Sequence, residues 1–216
     1  MLKISLLLIA SLFLATAVAS ASPITYTVTV DTSSISGDAG SLDFNFIPGP
    51  LVTQAASLQI LDFSTDGSLA GSPILTGDVS GDLSSSVTFD NGTQYNDYFE
   101  DFTFGSTLSF EVSLYGPALS SPDGVSTSGS AFAFSMFSDS AGTIPALTTD
   151  TADGWATTIA VNLDGTTDLT SYIPASGPPG VTPEPGSLLL LGTGLLALGA
   201  LTRRKLLAGS PAQSKL

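Results

Sequence analysis

The stretch TLSFEVSL, Thr107 to Leu114, alternates without a break: Leu108, Phe110, Val112 and Leu114 against Ser109, Glu111 and Ser113. Strand side chains point to opposite faces with a period of two, so this run is a strand with one face in a core and one in water. Other segments share the pattern. Tyr26, Val28 and Val30 line one face of ITYTVTV, and Leu42, Phe44 and Phe46 one face of SLDFNF. Phe132, Phe134 and Met136 do so in AFAFSM, and Trp155, Thr157, Ile159, Val161 and Leu163 in WATTIAVNL. Weaker alternation runs through SLQILDF, VSGDLSSSVTF, YFEDFTF and LTSYI.

Between these runs lie Asp66-Gly67, Asn91-Gly92, Asp123-Gly124, Asp153-Gly154 and Asp164-Gly165, dipeptides suited to hairpins and tight loops. Strands at this spacing predict an all-β body, an antiparallel β-sandwich or jelly roll of about eight to ten strands. LVTQAASLQIL, Leu51 to Leu61, is the one place where a short helix is expected to intrude.

The chemistry of the body is narrow. The 216-residue chain has no cysteine and no histidine, so thiol chemistry and imidazole bases are excluded. Its net charge is -14, and all five basic residues, Lys3, Arg203, Arg204, Lys205 and Lys215, lie near the ends. Every acidic residue falls between Asp31 and Glu184. The body thus holds carboxylates and no side-chain cation, and nothing in it could neutralise the phosphates of a nucleic acid. Its aspartates must be solvated, bonded to backbone N–H groups, or matched by bound cations.

An oxygen-only ligand set admits calcium. The densest acidic group is Asp97, Glu100 and Asp101, beside Asn96 and shortly after Asp90. It lacks the EF-hand pattern, and on a strand Asp97 and Asp101 share one face while Glu100 opposes them. No metal site is assigned on that basis. Serine hydrolysis lacks a base, and a paired-carboxylate glycosidase would have only Glu100 and Glu111 as candidates, so no catalytic residue and no enzyme is expected. Trp155 and the tyrosines offer stacking surfaces for sugar rings. Asp97, Glu100, Asp101 and Trp155 are the candidate ligand-binding residues.

Both ends differ from the body. MLKISLLLIASLFLATAVASAS has a positive start, an apolar core and small residues at Ala17-Val18-Ala19 and Ala19-Ser20-Ala21, the order of parts in a secretory signal peptide. The other end reads PEPGSLLLLGTGLLALGALTRRK from Pro183 to Lys205. It joins a Pro-Glu-Pro tripeptide to an uncharged run and a basic cluster, which favours the cytoplasmic side of a membrane. The expected organisation is a signal peptide over 1–21, an acidic β-domain over 22–173 and a Pro/Gly linker over 174–182. A sorting segment with a transmembrane helix follows over 183–208, then a disordered tail over 209–216.

This C-terminal segment resembles the PEP-CTERM sorting signal through Pro183, Glu184 and Pro185, the apolar stretch Ser187 to Leu201, and Arg203 with Arg204. The resemblance implies export by the Sec machinery and initial anchoring in the inner membrane with the body in the periplasm. It further implies recognition by exosortase, a membrane-embedded processing enzyme of Gram-negative bacteria that make exopolysaccharide and biofilm. The body, through YTVTVDTSSISGDAGSLDFNFIPGP and FTFGSTLSFEVSLYGPAL, is similar to a group of such proteins with no established biochemical role. The expected function is that of an envelope or extracellular-matrix protein with a structural or adhesive, non-enzymatic role. The alternative is a carbohydrate- or calcium-binding module.

Overall fold

The alternating runs become strands of two facing antiparallel sheets. A computed structural model describes residues 22–174 and, for their backbone, 181–184. The expected signal peptide, the apolar span, Pro185, Arg203, Arg204 and the tail over 209–216 lie outside the described residues. Among those residues no helix is long and apolar enough to cross a membrane.

The strands in chain order are β1 (Ile24–Asp31), β2 (Ala39–Pro48), β3 (Ser57–Thr65), β4 (Ser68–Leu69), β5 (Ile74–Thr76), β6 (Val79–Asp82) and β7 (Ser86–Asp90). Then come β8 (Asp97–Thr103), β9 (Thr107–Tyr115), β10 (Ser130–Phe137), β11 (Trp155–Val161), β12 (Thr167–Ser171) and β13 (Val181–Glu184). One short helix, α1 (Pro117–Ser120), follows β9. The first sheet runs β13-β1-β9-β3-β7-β6; the second runs β12-β11-β10-β2-β8-β4, with β5 also on the β8 edge. From β1 to β3 and from β7 to β10 each successive long strand enters the other sheet, so most turns are crossovers rather than hairpins. Asn91-Gly92 is one of these: the Asn91 side chain accepts from the Ala56 N–H and donates to the Gln54 carbonyl and Ser130 Oγ, tying three segments together.

The core lies between the sheets and is built from the alternating residues. Leu108, Phe110, Val112 and Leu114 are buried on β9, as are Val28 and Val30 on β1, and Leu42, Phe44 and Phe46 on β2. Phe44, Phe110 and Phe134 meet at its centre, with ring centroids 5.1 Å (Phe44–Phe110), 4.8 Å (Phe44–Phe134) and 4.9 Å (Phe110–Phe134) apart. Phe110 belongs to one sheet and the other two to the second, so this cluster joins the layers. Such aromatic pairs add about 0.5–1.5 kcal/mol each beyond the area they bury.

Three expectations need correction. The described residues hold thirteen strands rather than eight to ten. The surplus comes from β4 and β5, short and largely exposed pieces at the sheet margins with no apolar alternation to announce them, from β13, and from VSGDLSSSVTF, one weak run that turns at residues 83–85 and gives both β6 and β7. Leu51 to Leu61 does not form a helix: Leu58 and Ile60 are buried on β3, where a period of two serves the core. Trp155 does not share a face with Thr157, Ile159 and Val161. A register shift after Phe134 sets Trp155 opposite Ser135 and leaves Ala156 unmatched. An extra residue in one strand turns the following side chain to the other face, and Trp155 is exposed while Thr157, Ile159 and Val161 are buried.

β13 lies antiparallel on the open edge of β1, with Val181 opposite Val28 and Glu184 opposite Thr25. The last residues of the expected linker, Val181 and Thr182, are therefore paired backbone. A proline such as Pro183 is tolerated there because an edge strand has one row of unpaired groups.

Candidate functional site

Six aspartates serve turns. Asp31, Asp82, Asp123, Asp139, Asp150 and Asp164 each accept from a backbone N–H two to four residues downstream. Hydrogen bonds from Ser or Thr hydroxyls and from backbone N–H groups hold their carboxyls below the usual range. Asp66 is held down to about 2, first by the Ser106 hydroxyl and then by the Thr107 N–H. These groups fasten loops, and none converges with others: among the described residues no three acidic side chains gather closely enough to hold a metal.

The predicted group on β8 divides between the two faces of its strand, as a period of two requires. Glu100 points inward and is buried. Its Oε2 accepts from the Tyr98 hydroxyl at 2.5 Å and its Oε1 from the Gly71 N–H at 2.7 Å. The Leu83 N–H donates to the same tyrosine oxygen at 3.3 Å. Burial, and then the Glu100 bond, push the Tyr98 phenol above its ordinary value. Glu100 thus ties the loops at Gly71 and Leu83 to the core.

Asp97 and Asp101 look outward. Asp101 is exposed and lines an open cleft of about 420 Å³ with Gly40, Leu69, Ser138 and Asp139. Asp97, although on the outer face, is only 7 % exposed. It stands directly opposite Asn45 of β2. Asp43, two residues before Asn45, shares that face. Asn45 Nδ2 donates to Asp43 Oδ1 at 2.6 Å, and the Asp43 and Asp97 carboxyls are within hydrogen-bonding reach of each other. Burial, then that bond and the charge of Asp97, push Asp43 up to about 9. Burial also raises Asp97. Tyr95, just before β8, is pushed up to about 12 by burial and by the charges of Asp97 and Asp43.

The outer face of the second sheet thus carries Asp43, Asn45 and Asp97. Trp155 belongs to the same face: it pairs with Ser135 of β10, which in turn pairs with Asp43. Of the predicted residues, the structure brings Asp97 and Trp155 to one face on separate strands, sends Glu100 to the other, and leaves Asp101 at the margin. Asp43 and Asn45 were not singled out from the sequence. Their signal was the polar pair alternating with Leu42, Phe44 and Phe46, but which strand lies opposite cannot be read from one segment.

At the first sheet's edge, Pro183 and Glu184 occupy β13. The PEP-CTERM protein-sorting motif family model matches residues 181–205, beginning with the first residue of that strand. No curated protein and no solved structure matches the chain. The chain therefore carries a sorting motif on a β-rich body of no established function, and the motif implies processing by exosortase at a membrane and an exported, envelope-associated protein.

Proposed function

We propose that this chain is an exported precursor whose body, a β-sandwich, serves as a structural or adhesive module in the exopolysaccharide or biofilm matrix. The observation that carries the reading is the sorting motif at residues 181–205, which starts where the body's edge strand starts. The N-terminal segment acts as a Sec signal peptide. The apolar C-terminal run holds the precursor in the inner membrane with the body outside, until exosortase acts near Pro183-Glu184-Pro185. The body works without catalysis. It has no histidine, cysteine, lysine or arginine, and its most buried outward carboxyls face each other rather than a cleft. Its exposed aspartates keep it soluble and guard sheet edges, where Asp82 on β6 and Asp168 on β12 stand in for the usual lysines.

Replacing Pro183-Glu184-Pro185 by three alanines tests this. In the native host, mass spectrometry of the protein recovered outside the cell should find the unaltered chain trimmed at both ends. The variant should stay with the cell and retain its C-terminal segment. Full unprocessed mass in the cytosol, or identical trimming of the variant, would overturn the reading.

A further inference from the structure

We propose that Asp43, Asn45 and Asp97, assembled on the outer face of the second sheet, form a binding site for a hard divalent cation, calcium above all. This goes beyond the structural role given above and does not depend on it.

The geometry comes from the register. Positions 43 and 45 alternate on β2, and Asp97 of β8 is the direct cross-strand partner of Asn45. Three oxygen-bearing side chains therefore converge from two neighbouring strands. Two are carboxylates pressed together, and no lysine, arginine or histidine occurs among the described residues to separate them. Asp97 is more than nine-tenths buried, yet its Oδ1 has no donor within reach. Asn45 Oδ1 is likewise enclosed and unpartnered. Buried polar atoms in native structures find partners, so two orphaned acceptors beside a carboxylate pair call for a donor or a cation.

A proton and a cation can each serve as that partner. A proton shared by Asp43 and Asp97 satisfies the Asp97 oxygen and leaves that of Asn45 orphaned. A cation answers for all three. Rotating the Asn45 amide by half a turn exchanges Nδ2 for Oδ1 and presents a third oxygen beside Asp43; the two orientations have the same shape. An all-oxygen set with net charge of minus two suits calcium and excludes the softer metals, which take imidazole or thiolate. Asp43 and Asn45 are half-exposed, so water can complete a shell of six to eight ligands. Three protein ligands place the site among weak extracellular calcium sites, with dissociation constants on the order of 10⁻⁴–10⁻³ M. Around the pair stand Thr76, opposite Asp97 on β5, Ser135, opposite Asp43 on β10, and the Tyr95 phenol. Tyr95 is the only further titratable group among these neighbours.

The test is calorimetric titration of the full chain in non-ionic detergent with calcium chloride, in 0.15 M potassium chloride at pH 7.5. The site predicts a saturable one-to-one isotherm with a dissociation constant on the order of 10⁻⁴–10⁻³ M. Asp97→Asn should weaken binding at least tenfold, whereas Asp123→Asn, which alters a remote exposed turn, should leave it unchanged. Should Asp97→Asn fail to fold, Asn45→Asp decides: a third carboxylate tightens a cation site, while a purely structural amide gains nothing from it. A shallow, non-saturating isotherm, equal in all variants, would overturn the proposal, as would an Asn45→Asp variant that binds no tighter.

Discussion

Asp43→Asn in the presence of chelator isolates the proton that the carboxyl pair holds when no cation is bound. In the folded protein Asp43 keeps its proton up to about pH 9. In the unfolded chain an aspartate releases it near pH 4. Between those limits the folded state binds more protons than the unfolded one, so stability must fall as pH rises. One proton contributes about 1.4 kcal/mol per pH unit, so the loss between pH 5 and pH 8 reaches about 4 kcal/mol as an upper value. Water reaching the half-exposed Asp43 lowers it. The turn aspartates are held below their usual range, so they add stability only above about pH 4 and lose it in acid; they contribute no slope in this window. In the variant the amide still accepts from Asn45 and can donate to Asp97 Oδ1, with no proton to release. Urea unfolding of the full chain in micelles, followed by far-ultraviolet circular dichroism at half-unit steps of pH, reads the effect. The unaltered protein should lose stability steadily from pH 5 to pH 8. The variant should lose less than half as much and be the more stable of the two at pH 8. Equal slopes for both would refute the reasoning.

Two further outcomes follow from the core and the outer face. Phe44→Ala removes one of the three central rings, losing its contacts with Phe110 and Phe134, and should destabilise the body by about 3–5 kcal/mol, read as a lowered urea midpoint; a change below about 1 kcal/mol would mean that the sheets do not pack through this cluster. If the outer face engages exopolysaccharide by stacking, Trp155→Ala should abolish glycan-array binding by the full chain while leaving its urea midpoint unchanged, and retained binding would remove Trp155 from any such surface.

The strands that make the core could be read directly, because each buries one face and so obeys a period of two: β1, β2, β9 and β10 carry their apolar residues as TLSFEVSL does. The same rule correctly separated Glu100 from Asp97 and Asp101. It failed at Trp155, where one unmatched residue, Ala156, reverses the face; nothing in WATTIAVNL distinguishes a bulged strand from a regular one. It failed for β4 and β5, whose pairing depends on reaching the β8 edge rather than on their own composition. The Asp43–Asn45–Asp97 group escaped for a different reason. Two of its members are half a hundred positions from the third, and only the β2–β8 register joins them. The sorting segment was the most legible part, since its order of charge, proline and apolar run is carried within one short stretch.

The antiparallel seat of Val181–Glu184 on β1 makes the first and last strands of the body neighbours. A ribosome delivers these two strands at opposite ends of its work, so the outermost seam of the first sheet can be sewn only after every other strand has appeared. Until then β1 offers a bare margin of N–H and C=O groups. The strand that closes this seam and the start of the sorting motif are the same residues, 181–184.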